Sequence, residues 1–170
     1  MKKFFKSLML ISVCLGLSAT VNAKTFRYAT TGDILGLDPH ANNEGPTNTM
    51  KGNIYGRMLH RKADLSLEPD LATKWEKLDA NTWRFSLRRG VKFHNGNDFN
   101  ADDVLFSYKR QTQEASDMSF ALATIKQINK VDDYTVDLIT KGPDPILLLN
   151  MPMFYICLLY TSDAADDSWR

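Results

Sequence analysis

The sequence is short of cysteine. Cys14 and Cys157 are its two cysteines, and residues 24–156 between them hold none. No disulfide framework can therefore support that stretch, which must rely on its core. An excess of one charge is missing too. Lys and Arg total 21 against 20 Asp and Glu, a formal net charge of +1, and within residues 24–156 the two signs balance at 17 each. Nucleic-acid and anionic-membrane binders usually show a basic excess or patch, so neither is indicated as a partner. No apolar run reaches the roughly 20 residues that a membrane-spanning helix needs.

Catalytic signatures are scarce as well. His40, His60 and His94 stand far apart in the chain, without the close spacings that metal sites often use, and each is read as structural. Gly32, Gly36 and Gly45 lack the spacing of a phosphate-cradling loop, and there is no G-x-S-x-G elbow. The paired carboxylates Asp102–Asp103 and Asp132–Asp133 read as a helix cap and a turn, and Trp75 and Trp83 as core. These gaps exclude the common hydrolase and nucleotide-binding motifs, and no metal or cofactor is expected.

What is present begins with a secretory signal. MKKFFKSLMLISVCLGLSATVNA opens with Lys2, Lys3 and Lys6, continues through an apolar stretch at about residues 8–17, and ends in small residues. That three-part order places cleavage between Ala23 and Lys24, and implies export. Cys14 would leave with the signal.

The mature chain reads as mixed α and β. Residues 25–30 alternate and suggest a first strand. TGDILGLDPHANNEGPT, residues 31–47, is rich in Gly, Pro and Asn and reads as a long loop, a class that is often functional. Apolar steps at Met50, Ile54, Met58 and Leu59 predict a helix over 48–59. Short strands broken at Pro69 follow, then a strand over 82–88 that sets Trp83, Phe85 and Leu87 against Arg84, Ser86 and Arg88. Residues 91–94 continue to a tight turn at Asn95–Gly96. Asn100 is placed to cap a helix with Asp102 and Asp103 in its first turn and Val104, Leu105 and Tyr108 on its apolar side. A hairpin is expected over 125–131 and 134–139, and a further helix over 145–151.

The stretch PDLATKWEKLDANTWRFSLRRGVKFHNGNDFNADDVLFSYKR, residues 69–110, resembles the signature region of the extracellular solute-binding proteins of family 5. These are periplasmic receptors of peptide, nickel and related ABC importers. Leu37-Asp38-Pro39-His40 is similar to a Leu-Asp-Pro-His found early in many members, and residues 131–136 resemble the next hairpin of the family. The resemblance implies an α/β (mixed α+β) chain forming the N-terminal part of a two-lobed, type II-like periplasmic binding protein fold. It implies a monomer that captures a peptide or similar small solute, closes about a hinge and delivers the solute to ABC permease subunits in the inner membrane. No covalent chemistry follows from it. Signature positions such as Trp83, Gly90, Val91, His94 and Gly96 look architectural. In peptide-binding relatives the loop after the first strand contributes to the cleft wall, and by position that role falls on Asp33, Ile34, Leu35 and Gly36, and on Glu44, Gly45 and Thr47. The acidic residue that holds a peptide's amino terminus in relatives lies later in the family sequence than this chain extends.

The expected organisation is a signal peptide at 1–23, the first strand and cleft loop of one lobe at 24–47, and a small domain at 48–156. Residues 157–170 do not continue the family pattern. Cys157 to Asp166 reads CLLYTSDAAD, which matches the translation of a transposase-type sequencing adapter, so this tail is expected to be adapter-derived rather than native. Two other classes compete with the receptor reading: a secreted enzyme whose catalytic residues lie in a missing C-terminal part, and a sensor or chaperone-like binder working without a transporter.

Overall fold

A computed structural model describes Thr25, Arg27 and residues 29–159. The chain divides into two units, residues 1–30 and 31–170. In the first unit the described residues Thr25, Arg27, Ala29 and Thr30 adopt no strand. Phe26 and Tyr28, the signal segment with its Ala23–Lys24 cleavage point, and residues 160–170 lie outside the described residues.

In the second unit the long loop leads into helix α1 (Gly45–Ile54), followed by a small hairpin of β1 (Leu59–Arg61) and β2 (Leu67–Pro69). β3 (Ala72–Lys77) and β4 (Thr82–Leu87) form the next hairpin. Helix α2 (Ala101–Gln111) and a 3-10 turn (Ser119–Leu122) separate them from β5 (Ile125–Asp132) and β6 (Thr135–Thr140). A short helix α3 (Leu147–Asn150) and a 3-10 turn (Met151–Met153) complete the described elements. β3 to β6 make one antiparallel sheet in the order β3-β4-β6-β5.

Alternation along the strands decides which face of that sheet is covered. Trp75 opposes Phe85, which opposes Val136, and Trp83 opposes Leu138, which opposes Ile128. Phe85, Val136 and Leu138 are fully buried on this face, while Trp75 and Trp83 are half-buried against it. On the other face Glu76, Arg84 and Asp137 line up, and Arg84 grips the Asp137 carboxylate through two bonds of 2.7 and 2.8 Å. An antiparallel sheet with one solvated face produces this pattern.

Helix α2 lies against β5 and brings Val104, with partly buried Leu105 and Tyr108, to the core. Asn100 starts it as the sequence indicates. Its side chain accepts the Asp102 N–H at 2.7 Å, and Asp103 accepts the Asn100 N–H at 3.0 Å, completing a capping box. The Asn95–Gly96 turn is present, with Gly96 at φ +91°.

Helix α1 differs from its expected 48–59 span. It starts at Gly45, with Pro46 in the first turn where a missing N–H costs nothing, and it ends at Ile54. Met58 and Leu59 belong to the next segment, where they are fully buried beside β2 and β3. The residues that α1 buries are Thr47 and Lys51, so a count of apolar steps misplaced it. Gly56, just beyond the helix, lets the chain pass close to Leu71. An added Cβ there would stand 2.9 Å from Leu71 Cδ1.

Candidate binding loop and its anchor

The loop from Thr31 to Glu44 has no regular structure, yet side chains from several elements fasten it. Thr47 on α1 accepts the Leu35 N–H through its hydroxyl at 3.0 Å. The Tyr55 hydroxyl donates to the Leu37 carbonyl at 2.9 Å. Lys51, fully buried, donates its Nζ to the Asn42 carbonyl, and burial lowers its pKa. The loop needs these partners because its own backbone forms no ladder.

The strongest fastening joins Asp38 and His40 to Arg110 in the last turn of α2. The guanidinium donates to both Asp38 carboxylate oxygens, at 2.9 and 2.6 Å, in the two-pronged geometry that suits Arg and carboxylate. This contact, opposed by partial burial and helped by the His40 N–H, holds the Asp38 carboxyl down at about 2. Arg110 also donates to His40 Nδ1 at 3.1 Å, and the His40 Nε2 proton then goes to the Tyr155 carbonyl at 3.0 Å. A neutral imidazole protonated at Nε2 meets both contacts. Burial, with the Arg110 charge, pushes His40 down to about 4, although the Tyr155 carbonyl and Asp38 favour the charged form. Ser116 completes the knot by donating to the His40 carbonyl at 2.9 Å. Leu37-Asp38-Pro39-His40 is thus an anchor motif.

The residues proposed from sequence as a cleft wall fall into two groups. Asp33 and Leu35 are exposed, Leu35 by 69%, whereas Ile34 and Gly36 are half-buried. Gly45 is exposed at the start of α1, and Glu44 precedes it with Oε1 lacking a hydrogen-bond partner among the described residues. Thr47 is fully buried and holds the tip through the Leu35 N–H. An open groove of about 470 Å³ runs beside the anchor, lined by Ile54, Leu71, Val91, Phe93 and Phe99 with Asp38 and Arg110 at its side. None of the seven proposed wall residues lines it. Cys157 also borders the groove, and burial pushes its thiol up to about 12, which leaves no reactive thiolate near neutral pH.

Residues 66–170 match the family described as bacterial extracellular solute-binding proteins, family 5 Middle. The chain belongs to that family. A dipeptide-binding protein of Escherichia coli K12 is 32% identical over 169 residues, spanning 86% of this chain and 32% of that protein. Heme-binding protein A of Haemophilus influenzae is 33% identical over 165 residues, spanning 84% of this chain and 30% of that protein. A solved structure, the binding protein MoaA of A. tumefaciens R10 in complex with mannopinic acid, superposes with a TM-score of 0.71 at 30% identity, covering 81% of this chain and 30% of its own. The chain therefore spans about a third of the length of these relatives. The fold expected from the sequence, a mixed α and β part of a periplasmic binding protein, is the fold these neighbours have.

Sequence reasoning missed Arg110 as a partner of the loop. Nothing in the linear pattern ties Arg110 to Asp38, 72 residues away.

Proposed function

We propose that this chain is part of the substrate-binding component of an ABC importer, exported to the periplasm, where it captures a peptide or similar small solute for delivery to a permease. The observation that carries this reading is the family match over residues 66–170, together with the 32% identity to a dipeptide-binding protein. The fastened loop supports it. A binding wall made of breaker-rich backbone loses less entropy on binding when it is already held in shape, and the Asp33–Gly36 tip has that character. Ile34 and Leu35 would offer apolar contact, with Gly36 allowing close backbone approach. The solute stays broader than a dipeptide, because the relatives' names already range over dipeptide, heme and mannopinic acid.

The test uses the intact gene product, purified from the periplasm. Calorimetry with dialanine, heme and mannopinic acid as probes is expected to give saturable, micromolar or tighter binding to one of them, weakened several-fold by Leu35→Ala. Intact protein that binds none of these probes argues against the solute class, and a Leu35→Ala protein that binds as the parent does removes the loop tip from the site. The tail at 157–170 belongs to the same proposal as adapter-derived sequence. A continuous genomic read across codon 157 is expected to depart from CLLYTSDAAD, and a read retaining that peptide would refute the adapter origin.

A further inference from the structure

We propose that Arg110 is a positioning residue for the binding loop: through Asp38 and His40 it sets the conformation of the Asp33–Gly36 tip. The importance of that tip for ligand rests on the reading above, but the positioning is a property of this chain and is testable without ligand.

Four observations converge on Arg110. Its single guanidinium donates three hydrogen bonds, two to Asp38 and one to His40. It sits in the last turn of α2, a helix fixed at its other end by the capping box and by Lys130, which bridges Asp102 and Asp133 at 2.9 and 2.8 Å. The base of the loop is therefore referred to a rigid element. Asp38 passes the constraint to backbone, since its Oδ1 accepts both from Arg110 and from the His40 N–H at 2.8 Å. His40 carries it on to the Tyr155 carbonyl and, through its own carbonyl, to Ser116.

The chemistry explains why Arg is required. A lysine ammonium can neutralise Asp38, but it cannot span both carboxylate oxygens and the imidazole nitrogen in one plane. Without the Arg110 N–H, the buried Nδ1 of His40 loses its donor. The imidazole must then turn or take up a proton, and either change disturbs the bond to Tyr155. Above the anchor the tip has few other restraints. Leu35 N–H is held by Thr47, while Ile34 N–H bonds to its own neighbour Asp33. Release of Asp38 and His40 thus leaves Thr47 and Tyr55 as the nearest fixed points.

Amide hydrogen exchange followed by nitrogen-resolved NMR on the full chain tests this. In Arg110→Lys the His40 and Leu35 amides are expected to exchange at least tenfold faster, while amides paired between β4 and β6 keep their rates. Asp38→Asn, which leaves the Arg110 bond to His40 Nδ1 in place, should speed the same amides by a smaller factor, and the double variant should not exceed Arg110→Lys, because the Asp38 contact is common to both. Unchanged loop exchange overturns the proposal. A uniform rise across the sheet assigns Arg110 to general stability and overturns it equally. Should a variant not fold, the parent protein alone decides through its His40 ring nitrogens. A neutral ring protonated at Nε2 at pH 7 supports the anchor, whereas an Nδ1-protonated ring or an imidazolium contradicts it. If exchange responds as expected but Leu35→Ala leaves ligand binding intact, the positioning stands and the ligand-wall reading falls.

Discussion

His40 is 2% exposed, and its ring lies between a guanidinium and a carbonyl, so its titration must be felt by the fold. The groups facing it are Asp38 on its own loop, Arg110 on α2, Lys51 on α1, and the Tyr155 carbonyl. Its folded pKa is about 4 against a usual 6.5. The unfolded chain therefore takes up a proton first as pH falls, and stability present above 6.5 is lost between 6.5 and 4. The loss is on the order of 3 kcal/mol if the whole shift is realised. Asp38, held at about 2, adds a further loss below its usual 3.8, whereas buried Asp103, whose pKa is raised, takes up its proton in the folded chain before pH reaches 3.8 and so offsets part of the His40 loss at the acid end of that window. The decline between pH 6.5 and 4 is therefore the His40 loss less the Asp103 gain. Urea unfolding across that window should show the decline in the parent chain and a much flatter profile in His40→Gln, which keeps a donor toward Tyr155 and does not titrate. An equally steep profile in the variant would assign the decline elsewhere. The sequence made His40 legible as a structural histidine, but not its partner, because a contact across 70 residues leaves no local pattern.

Among the elements, legibility followed the strength of the local signal. The β4 strand and the β5–β6 hairpin were readable because alternating side chains face a core on one side and water on the other. The α2 start was readable because Asn100, Asp102 and Asp103 form a capping sequence whose donors and acceptors meet as expected. Replacing Asn100 with Ala removes one of those bonds and should cost about 1 kcal/mol, measurable as a lower urea midpoint with an unchanged slope. A midpoint matching the parent would show that water serves the Asp102 N–H equally well. Helix α1 was shifted because its buried face is made of Thr47 and Lys51, whose polar tips find partners in the loop. Hydrophobic periodicity cannot register such a face. The core under the β3–β6 sheet gives the opposite case. Phe85 is fully buried between Trp75 and Val136, and Phe85→Ala should cost about 3–5 kcal/mol through lost burial and a residual cavity. A loss under 1 kcal/mol would mean that the neighbouring Trp75 collapses into the space.

For the molecule as a whole, the family match and the third-of-length coverage together set what this chain can do alone. Ligand sites that hold a small molecule tightly enclose most of its surface, typically 70–90% of it. The loop tip leaves Asp33 and Leu35 exposed, and the nearby groove of about 470 Å³ is partly open to solvent. A solute resting against either surface keeps much of its area in water. The apolar gain, about 25 cal/mol per Å² buried, is then small beside the several kcal/mol lost in restricting the solute's motion. The 170-residue chain by itself is therefore expected to show no saturable binding of dialanine at micromolar concentration, even with its loop held in place by Arg110. The intact gene product is expected to bind one of the three probes under the same conditions. Paired calorimetry of the two proteins checks the difference. Saturable micromolar binding by the short chain would show that the loop and its α1 neighbour form a complete site, and would sink the idea that one wall is insufficient.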